Sequence, residues 1–246
     1  MEKSIMITGA SSGIGRALAF EMAGRGYSLA LAARRIGELQ AIQEEIGRTY
    51  PAVRSEVARL DVTEYDTVSP VLLQFAESLG GLDIVFANAG IGMGEKVGAG
   101  EFDSARLTIE TNLLGAMATV DAAVAYFLQR GSGHIVGAGS VAAFRGLPRG
   151  ASYSASKAGL ACYLEALRAE VYRKNIAVTV LHPGYIDTAL NRKLRSRPFL
   201  ISAEKGAALM ANMIERRVRS STIPVMPWCL LARLLRVLPT RIVAGL

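Results

Sequence analysis

The sequence predicts a doubly wound α/β fold, with one parallel sheet covered by helices on both faces and ending in a short amphipathic tail. Three observations carry this expectation. Apolar runs of strand length alternate with amphipathic stretches of helix length from residue 4 to about residue 187. The first of these runs passes through Thr8 into a glycine-rich turn, Gly9-Ala10-Ser11-Ser12-Gly13-Ile14-Gly15, and then into a helix. The chain of 246 residues is 51% apolar and 20% charged, without repeat or linker, which suits one large domain with a well-buried core. That domain is expected over 1–225, with the tail over 226–246.

Ser4–Thr8 is the first strand. Glycines at 9, 13 and 15 let the backbone approach a pyrophosphate, and the helix behind them offers unpaired N–H groups and the positive end of its dipole. Ile14, Leu18 and Met22 mark that helix, which stops near Gly24 and Gly26. Tyr27–Ala33 is the second strand, with Arg34 and Arg35 just past its end. In dinucleotide folds this tip faces the adenosine ribose; an acid there bonds the 2′-hydroxyl and an arginine accommodates a 2′-phosphate. No Asp or Glu occurs between Glu21 and Glu38, so NADP is expected ahead of NAD. The plainer reading is a solvated arginine pair at a strand tip.

A helix over 36–48 follows, then a strand near Val53–Leu60 that ends in Asp61 and Val62. Thr63-Glu64-Tyr65-Asp66 opens the next helix with acidic residues in its first turn. Leu82–Phe86 is a buried strand running into Ala87, Asn88, Ala89 and Gly90. A helical stretch of about 104–130 contains Asn112. Gly133–Ala138 is a strand with His134 at its start, in a structural role, and Ser140 just beyond its end. A helix over 151–173 carries Tyr153 and Lys157. Ala177–Leu181 is a strand that stops at His182, Pro183 and Gly184.

Tyr153 and Lys157, four residues apart, share one helix face. An ammonium beside a phenol favours the phenolate, so the tyrosine can exchange a proton below its free pKa of about 10. Proton transfer to or from a carbonyl or alcohol oxygen is a general acid–base task. Taken singly, Ser140 could cap a loop, Asn112 could make a local helix bond, and Tyr153 could be a buried aromatic.

In order, these residues resemble the short-chain dehydrogenase/reductase family in its shorter, single-domain Rossmann form, over at least residues 4–188. Thr8-Gly9-x-x-x-Gly13-x-Gly15, with Ser11, Ser12 and Ile14, resembles its cofactor fingerprint. Asp61 and Val62 stand where the family contacts adenine, and Asn88-Ala89-Gly90 resembles the motif that supports the sheet. Pro183 and Gly184, with Ile186 and Thr188, resemble the nicotinamide-side motif. Ala87 departs from the pattern, since many members have a second asparagine there.

The resemblance implies catalysis by Asn112, Ser140, Tyr153 and Lys157. Tyr153 would be the acid in carbonyl reduction and the base in alcohol oxidation, and Ser140 would bond the substrate oxygen. Lys157 would hold the nicotinamide ribose and lower the tyrosine pKa together with the oxidised cofactor. Asn112 would keep a water for proton exchange with solvent. The resemblance further implies a homo-oligomer built on helices 104–130 and 151–173, with Ala158, Gly159 and Ala161 allowing close packing. A non-catalytic NAD(P)-binding sensor or scaffold is the alternative. A nucleotide-sugar epimerase would need a larger C-terminal domain.

Cys162 and Cys229 lack metal spacing and are expected as reduced thiols packed like small apolar groups, which suits a cytoplasmic protein. No metal is expected. Met1-Glu2-Lys3-Ser4 enters a strand at once, leaving no room for a signal peptide, and no apolar run reaches the roughly 20 residues of a membrane span. The net charge is +7, but residues 188–246 alone carry 11 Lys/Arg against two Asp/Glu. No nucleic-acid partner is expected from a charge so confined. The substrate is expected to be a small, apolar carbonyl or alcohol, lined by Ile91–Glu95 (which includes Met93), Val141–Arg149 and Tyr185–Leu200, with Arg145 and Arg149 nearby.

In the tail, Trp228, Leu231, Leu234, Leu235 and Leu238 fall on one helical face, with Arg233 and Arg236 opposite and Pro239 as the stop. That face can pack on the body, closing the substrate pocket. Alternatively it can lie in a membrane interface, helped by Arg241 and the basic run Arg192, Lys193, Arg195 and Arg197.

Overall fold

The computed structural model describes residues 3–92, 94–192, 194 and 196–245; Met93 of the expected pocket and Lys193 and Arg195 of the basic run lie outside them. Strands β1 (Ser4–Thr8), β2 (Ser28–Ala33), β3 (Ser55–Arg59), β4 (Ile84–Ala87), β5 (Gly133–Ala138), β6 (Ile176–Pro183) and β7 (Ser220–Ile223) form one sheet in the order β3-β2-β1-β4-β5-β6-β7. Every pairing is parallel. The order reverses between β1 and β4, which opens a crevice at the carboxyl ends of the strands, where such folds bind ligands.

Alternate side chains of each strand feed opposite layers. Met6, Ala30, Val85 and Ile135 meet Leu72 and Phe75 of α3 (Tyr65–Leu79), Val120 and Phe127 of α5 (Gly115–Arg130) and Leu164 of α6 (Ala151–Glu170). Ile5, Ile7, Leu29, Leu31 and Phe86 meet Leu18 and Met22 of α1 (Gly13–Gly24), Leu39 and Ile46 of α2 (Ile36–Thr49) and Met210 and Ile214 of α7 (Ala203–Glu215). Each such fully buried large side chain contributes about 1.5–3 kcal/mol, so the two layers hold the strand ends rigidly in place.

His134 is buried in β5, and its Nε2 lies 2.8 Å from Thr179 Oγ1 on β6. Burial, helped by the nearby Arg217, lowers its pKa to about 4, so it stays neutral as a strut between strands.

The expected helix 104–130 is not continuous. α4 (Phe102–Ile109) passes through a π turn at Glu110–Leu114 before α5 begins. A π turn inserts a residue into the helical ladder and commonly marks a functional position. Here it carries Asn112, which is fully buried. By length and composition Phe102–Arg130 is apolar enough to cross a membrane, contrary to the expectation, although half of its apolar window is buried within the fold. The cysteines also differ from expectation: Cys162 on α6 is exposed and Cys229 partly so, both free. The helix expected in the tail is α8 (Trp228–Val237), and beyond the expected elements lie α7, β7 and α9 (Thr240–Val243).

Candidate active site

The turn after β1 is built for close approach. Gly9 has φ +69°, a left-handed conformation that glycine adopts without strain. A Cβ on Gly15 would stand 2.4 Å from the Gly9 carbonyl oxygen and 2.7 Å from Asn88 Nδ2, so no side chain fits there. Asn88 braces the turn by donating from Nδ2 to the Thr8 carbonyl at 2.9 Å. Thr8 Oγ1 accepts from the N–H groups of Asn88 and Ala89 at 3.0 and 3.1 Å. Thr8 and Asn88 therefore support the turn rather than offer free polar groups. Ser12 caps α1 with no side-chain bond, and no acid lies in that helix's first turn, so the N–H groups and dipole remain available to an anion.

Around the strand tips, Arg35 Nη2 donates to Ser11 Oγ at 3.1 Å, and Arg34 lies 3.9 Å from Asp61. Asp61 Oδ1 accepts from the Thr63 N–H and hydroxyl at 3.0 and 2.8 Å. Val62 is buried, and its Cγ2 would stand 2.6 Å from a Cβ on Gly115, so its side chain serves the core. Ile186 is also buried, beneath Gly206 of α7, and its carbonyl accepts from Asn191 Nδ2 at 2.7 Å. Thr188 approaches the glycine turn from the other side, its Cγ2 at 3.3 Å from a Cβ placed on Gly13.

The second cluster joins β5, the π turn and α6. Tyr153 and Ser140 are linked by a side-chain hydrogen bond, and Ser140 Oγ also accepts from the Ala142 N–H at 3.1 Å. Lys157 is buried; its Nζ donates to the Ala138 carbonyl at 2.7 Å and stands 5.8 Å from the Tyr153 ring centre. Asn112 holds the main chain of Ile91 from both sides, accepting its N–H at 2.7 Å and donating to its carbonyl at 2.8 Å. Gly90 leaves space there: a Cβ would stand 3.1 Å from Asn112 Oδ1 and 3.5 Å from Lys157 Nζ.

The electrostatics differ from the simple tyrosine–lysine picture. Burial raises the Tyr153 pKa, outweighing the Ser140 bond that lowers it. Burial lowers Lys157 to about 8, and its ammonium is directed at a carbonyl rather than at the phenol. The resting site thus holds a neutral phenol, the form that can donate a proton.

The family model described as short chain dehydrogenase matches residues 3–198. An uncharacterized oxidoreductase of Mycobacterium tuberculosis is 41% identical over 241 residues, 98% of this chain and 95% of the relative. This chain belongs to the short-chain dehydrogenase family. Among solved structures, the alcohol dehydrogenase of the archaeon Thermococcus sibiricus, complexed with 5-hydroxy-NADP, matches this dehydrogenase with TM-score 0.81 and 27% identity, over 90% of this chain and 96% of its own. A short-chain dehydrogenase/reductase from Burkholderia phymatum in complex with NAD shares the fold, with TM-score 0.85 and 24% identity over 95% and 92% of the two chains. The glycine cradle, the uncapped helix end and the arginine pair of this dehydrogenase fit an NAD(P) cofactor.

Several residues stand at the site to which the sequence assigned no catalytic or cofactor role. His182 Nδ1 lies 3.2 Å from the Ser140 carbonyl, and its ring lies 4.7 Å from that of Phe144. Burial lowers its pKa. Its place beside Pro183 was the available signal. Trp228 of α8 fills the space of the missing Gly184 side chain, its Nε1 2.2 Å from where a Cβ would be, and it meets the rings of Tyr185 and Phe199 at 5.9 and 5.8 Å. Glu95 is buried, accepting the Ser152 N–H at the start of α6 at 2.6 Å.

Arg145, expected at the pocket, instead donates to the Leu238 carbonyl at 3.0 Å and ties down the tail. A largely apolar cavity of about 500 Å³ lies beneath this contact, between Ala142, Leu147, Ala155, Ala158 and Val243. It adjoins the side of α6 turned away from Tyr153 and Lys157.

Proposed function

We propose that this short-chain dehydrogenase reduces the carbonyl of a small apolar substrate with NADP(H), or oxidises the corresponding secondary alcohol, with Tyr153 as the proton-transferring residue. The observation that carries this reading is the placement of Tyr153 against Ser140, one helical turn from a buried Lys157 whose Nζ donates to the Ala138 carbonyl. When bound, the nicotinamide cofactor supplies or accepts the hydride. Tyr153 gives its phenolic proton to the substrate oxygen as negative charge builds there. Ser140 donates its hydroxyl to the same oxygen, a kind of contact worth about 10²–10³ in rate. Lys157 holds the nicotinamide ribose, and Asn112, fixed by Ile91, positions a water that returns protons from solvent. His182, beneath the Ser140 main chain, keeps that serine in place.

The apolar character of the substrate rests on the aromatic cluster of Tyr185, Phe199 and Trp228, on Phe144 against His182, and on Leu190, whose Cδ1 would stand 3.6 Å from a Cβ on Gly92. A panel of apolar ketones followed by NADPH absorbance tests the reaction. Turnover of at least one ketone is expected. NADPH binding with no ketone reduced would favour a cofactor-binding sensor and sink this reading.

NADP(H) preference rests on Arg34 and on Arg35, which bonds Ser11, with no Asp or Glu between Glu21 and Glu38 to take a 2′-hydroxyl. Arg34→Ala is expected to raise the NADPH KM about tenfold to a hundredfold, as befits a charge-assisted bond worth about 1.5–3 kcal/mol, and to leave NADH little changed. Equal use of both cofactors by the unmutated enzyme would contradict this.

Self-association through the α4–α5 and α6 faces belongs to the same reading. Leu107, Leu114 and Leu128 are exposed there, as is Ala158. Gly159 is spent within the subunit, a Cβ on it lying 3.1 Å from Leu113. A dimer or tetramer mass by light scattering at micromolar concentration is expected, and a monomer would count against it. The reading takes the enzyme to be cytoplasmic, with residues 1–225 as the catalytic domain.

A further inference from the structure

Helix α8 carries more apolar surface than the body of the protein covers. Trp228 and Ala232 are buried, and Leu231 and Leu235 are half-buried. Leu230, Leu234 and Val237, spaced i, i+4 and i+7 along one ridge, are 56%, 50% and 75% exposed. Leu234 therefore parts from Trp228, with which the sequence places it on one apolar face. Met226 before the helix and Ile242 after it are exposed as well. Scattered apolar residues need no explanation, but a continuous ridge does.

The charge around the ridge has one sign. Arg233, Arg236 and Arg241 flank it, and no Asp or Glu follows Glu215 in the chain. Arg236 is held 5.2 Å over the Phe144 ring, so part of this rim is fixed to the body. A second copy meeting the ridge across a two-fold axis would set these arginines against themselves, without a carboxylate in the segment to pair them. A negatively charged surface has no such conflict. A helix of ten residues is about 15 Å long and cannot cross a bilayer, but an apolar ridge rimmed by arginines suits a helix lying in the headgroup layer.

We propose that the outer face of α8 is a docking surface for an anionic lipid bilayer. Trp228 and Ala232 pin the helix to the enzyme, and Leu230, Leu234 and Val237 enter the lipid boundary. Arg233 and Arg241 meet the headgroup charges. This does not depend on the reaction proposed above.

The test is co-sedimentation of the full-length protein with phosphatidylglycerol-containing vesicles and with phosphatidylcholine vesicles, at low and high salt. Binding is expected to the anionic vesicles alone and to weaken with salt; each arginine near the surface is worth about fivefold in partitioning. The double variant Leu230→Glu/Leu234→Glu changes only exposed side chains, so its melting temperature and its turnover of a soluble substrate should match the parent while its vesicle partitioning falls at least about tenfold. Arg233→Glu should weaken binding to anionic vesicles. The proposal fails if the parent protein stays in the supernatant with anionic vesicles at low salt, or if the double variant binds them as well as the parent does. It also fails if the double variant has a lower mass by light scattering than the parent, since the ridge would then be a subunit interface.

Discussion

Replacement of Tyr153 by Phe is expected to lower kcat for carbonyl reduction by about 10²–10⁴-fold, the range for removal of a positioned proton donor. NADPH affinity should stay within about twofold. The substitution removes one oxygen from a partly buried ring and leaves Lys157, its bond to Ala138 and the glycine turn untouched. It also deprives Ser140 of one hydrogen-bond partner, but Ser140 keeps the Ala142 N–H. Stopped-flow turnover together with NADPH titration separates the effects. A Phe variant with near-parental kcat would remove Tyr153 from the chemistry, and one that lost cofactor affinity and rate together would point to a collapsed site.

Replacement of Lys157 by Met should abolish turnover to a similar degree and weaken NADPH binding as well, while the fold persists. Its effect on stability has a defined pH signature. Burial lowers the lysine pKa from 10.5 to about 8. The folded value lies below the unfolded one, so the unfolded chain binds more protons between about pH 8 and 10.5. Parental stability therefore gains from this group as pH rises through that window, by about 3 kcal/mol for the full shift. The Met variant lacks that gain. Below pH 8 it is relieved of burying an ammonium, but it leaves the Ala138 carbonyl without its donor, a loss of about 1–3 kcal/mol. Urea unfolding of both proteins at pH 8 and at pH 10.5 should show the parent gaining on the variant. Parallel pH dependences would mean that Lys157 is not held as a desolvated cation.

Much of this architecture is legible in the sequence because strand and turn chemistry are local. Gly9, Gly13 and Gly15 mark a backbone that must leave room, and Arg34 and Arg35 end a strand whose apolar run is plain. Gly133–Ala138 is a strand with the expected bounds because glycine turns and polar residues delimit it. The π turn at Asn112 was not legible, since Glu110–Leu114 has the composition of an ordinary helix and the bond between Asn112 and the Ile91 main chain joins residues 21 apart. The direction of the Tyr153 shift was also hidden, because spacing places the lysine nearby but says nothing of the burial that raises the phenol's pKa. The contact of Trp228 with Gly184 joins residues 44 positions apart, and nothing local at either one announces the other. The unequal covering of α8 was invisible for a related reason: periodicity gives an apolar face, but only the shape of the body decides how much of it is met.

The most direct measurement is a single-turnover reaction of the enzyme with an apolar ketone and NADPH deuterated at the transferable position of the nicotinamide, with the product examined by mass spectrometry, for the parent protein and for Tyr153→Phe. The account predicts one deuterium on the carbinol carbon from the parent, and almost none in the same time from the variant although it binds the cofactor equally well. No labelled alcohol from the parent with any apolar ketone, or equal labelling by the two proteins, would contradict it.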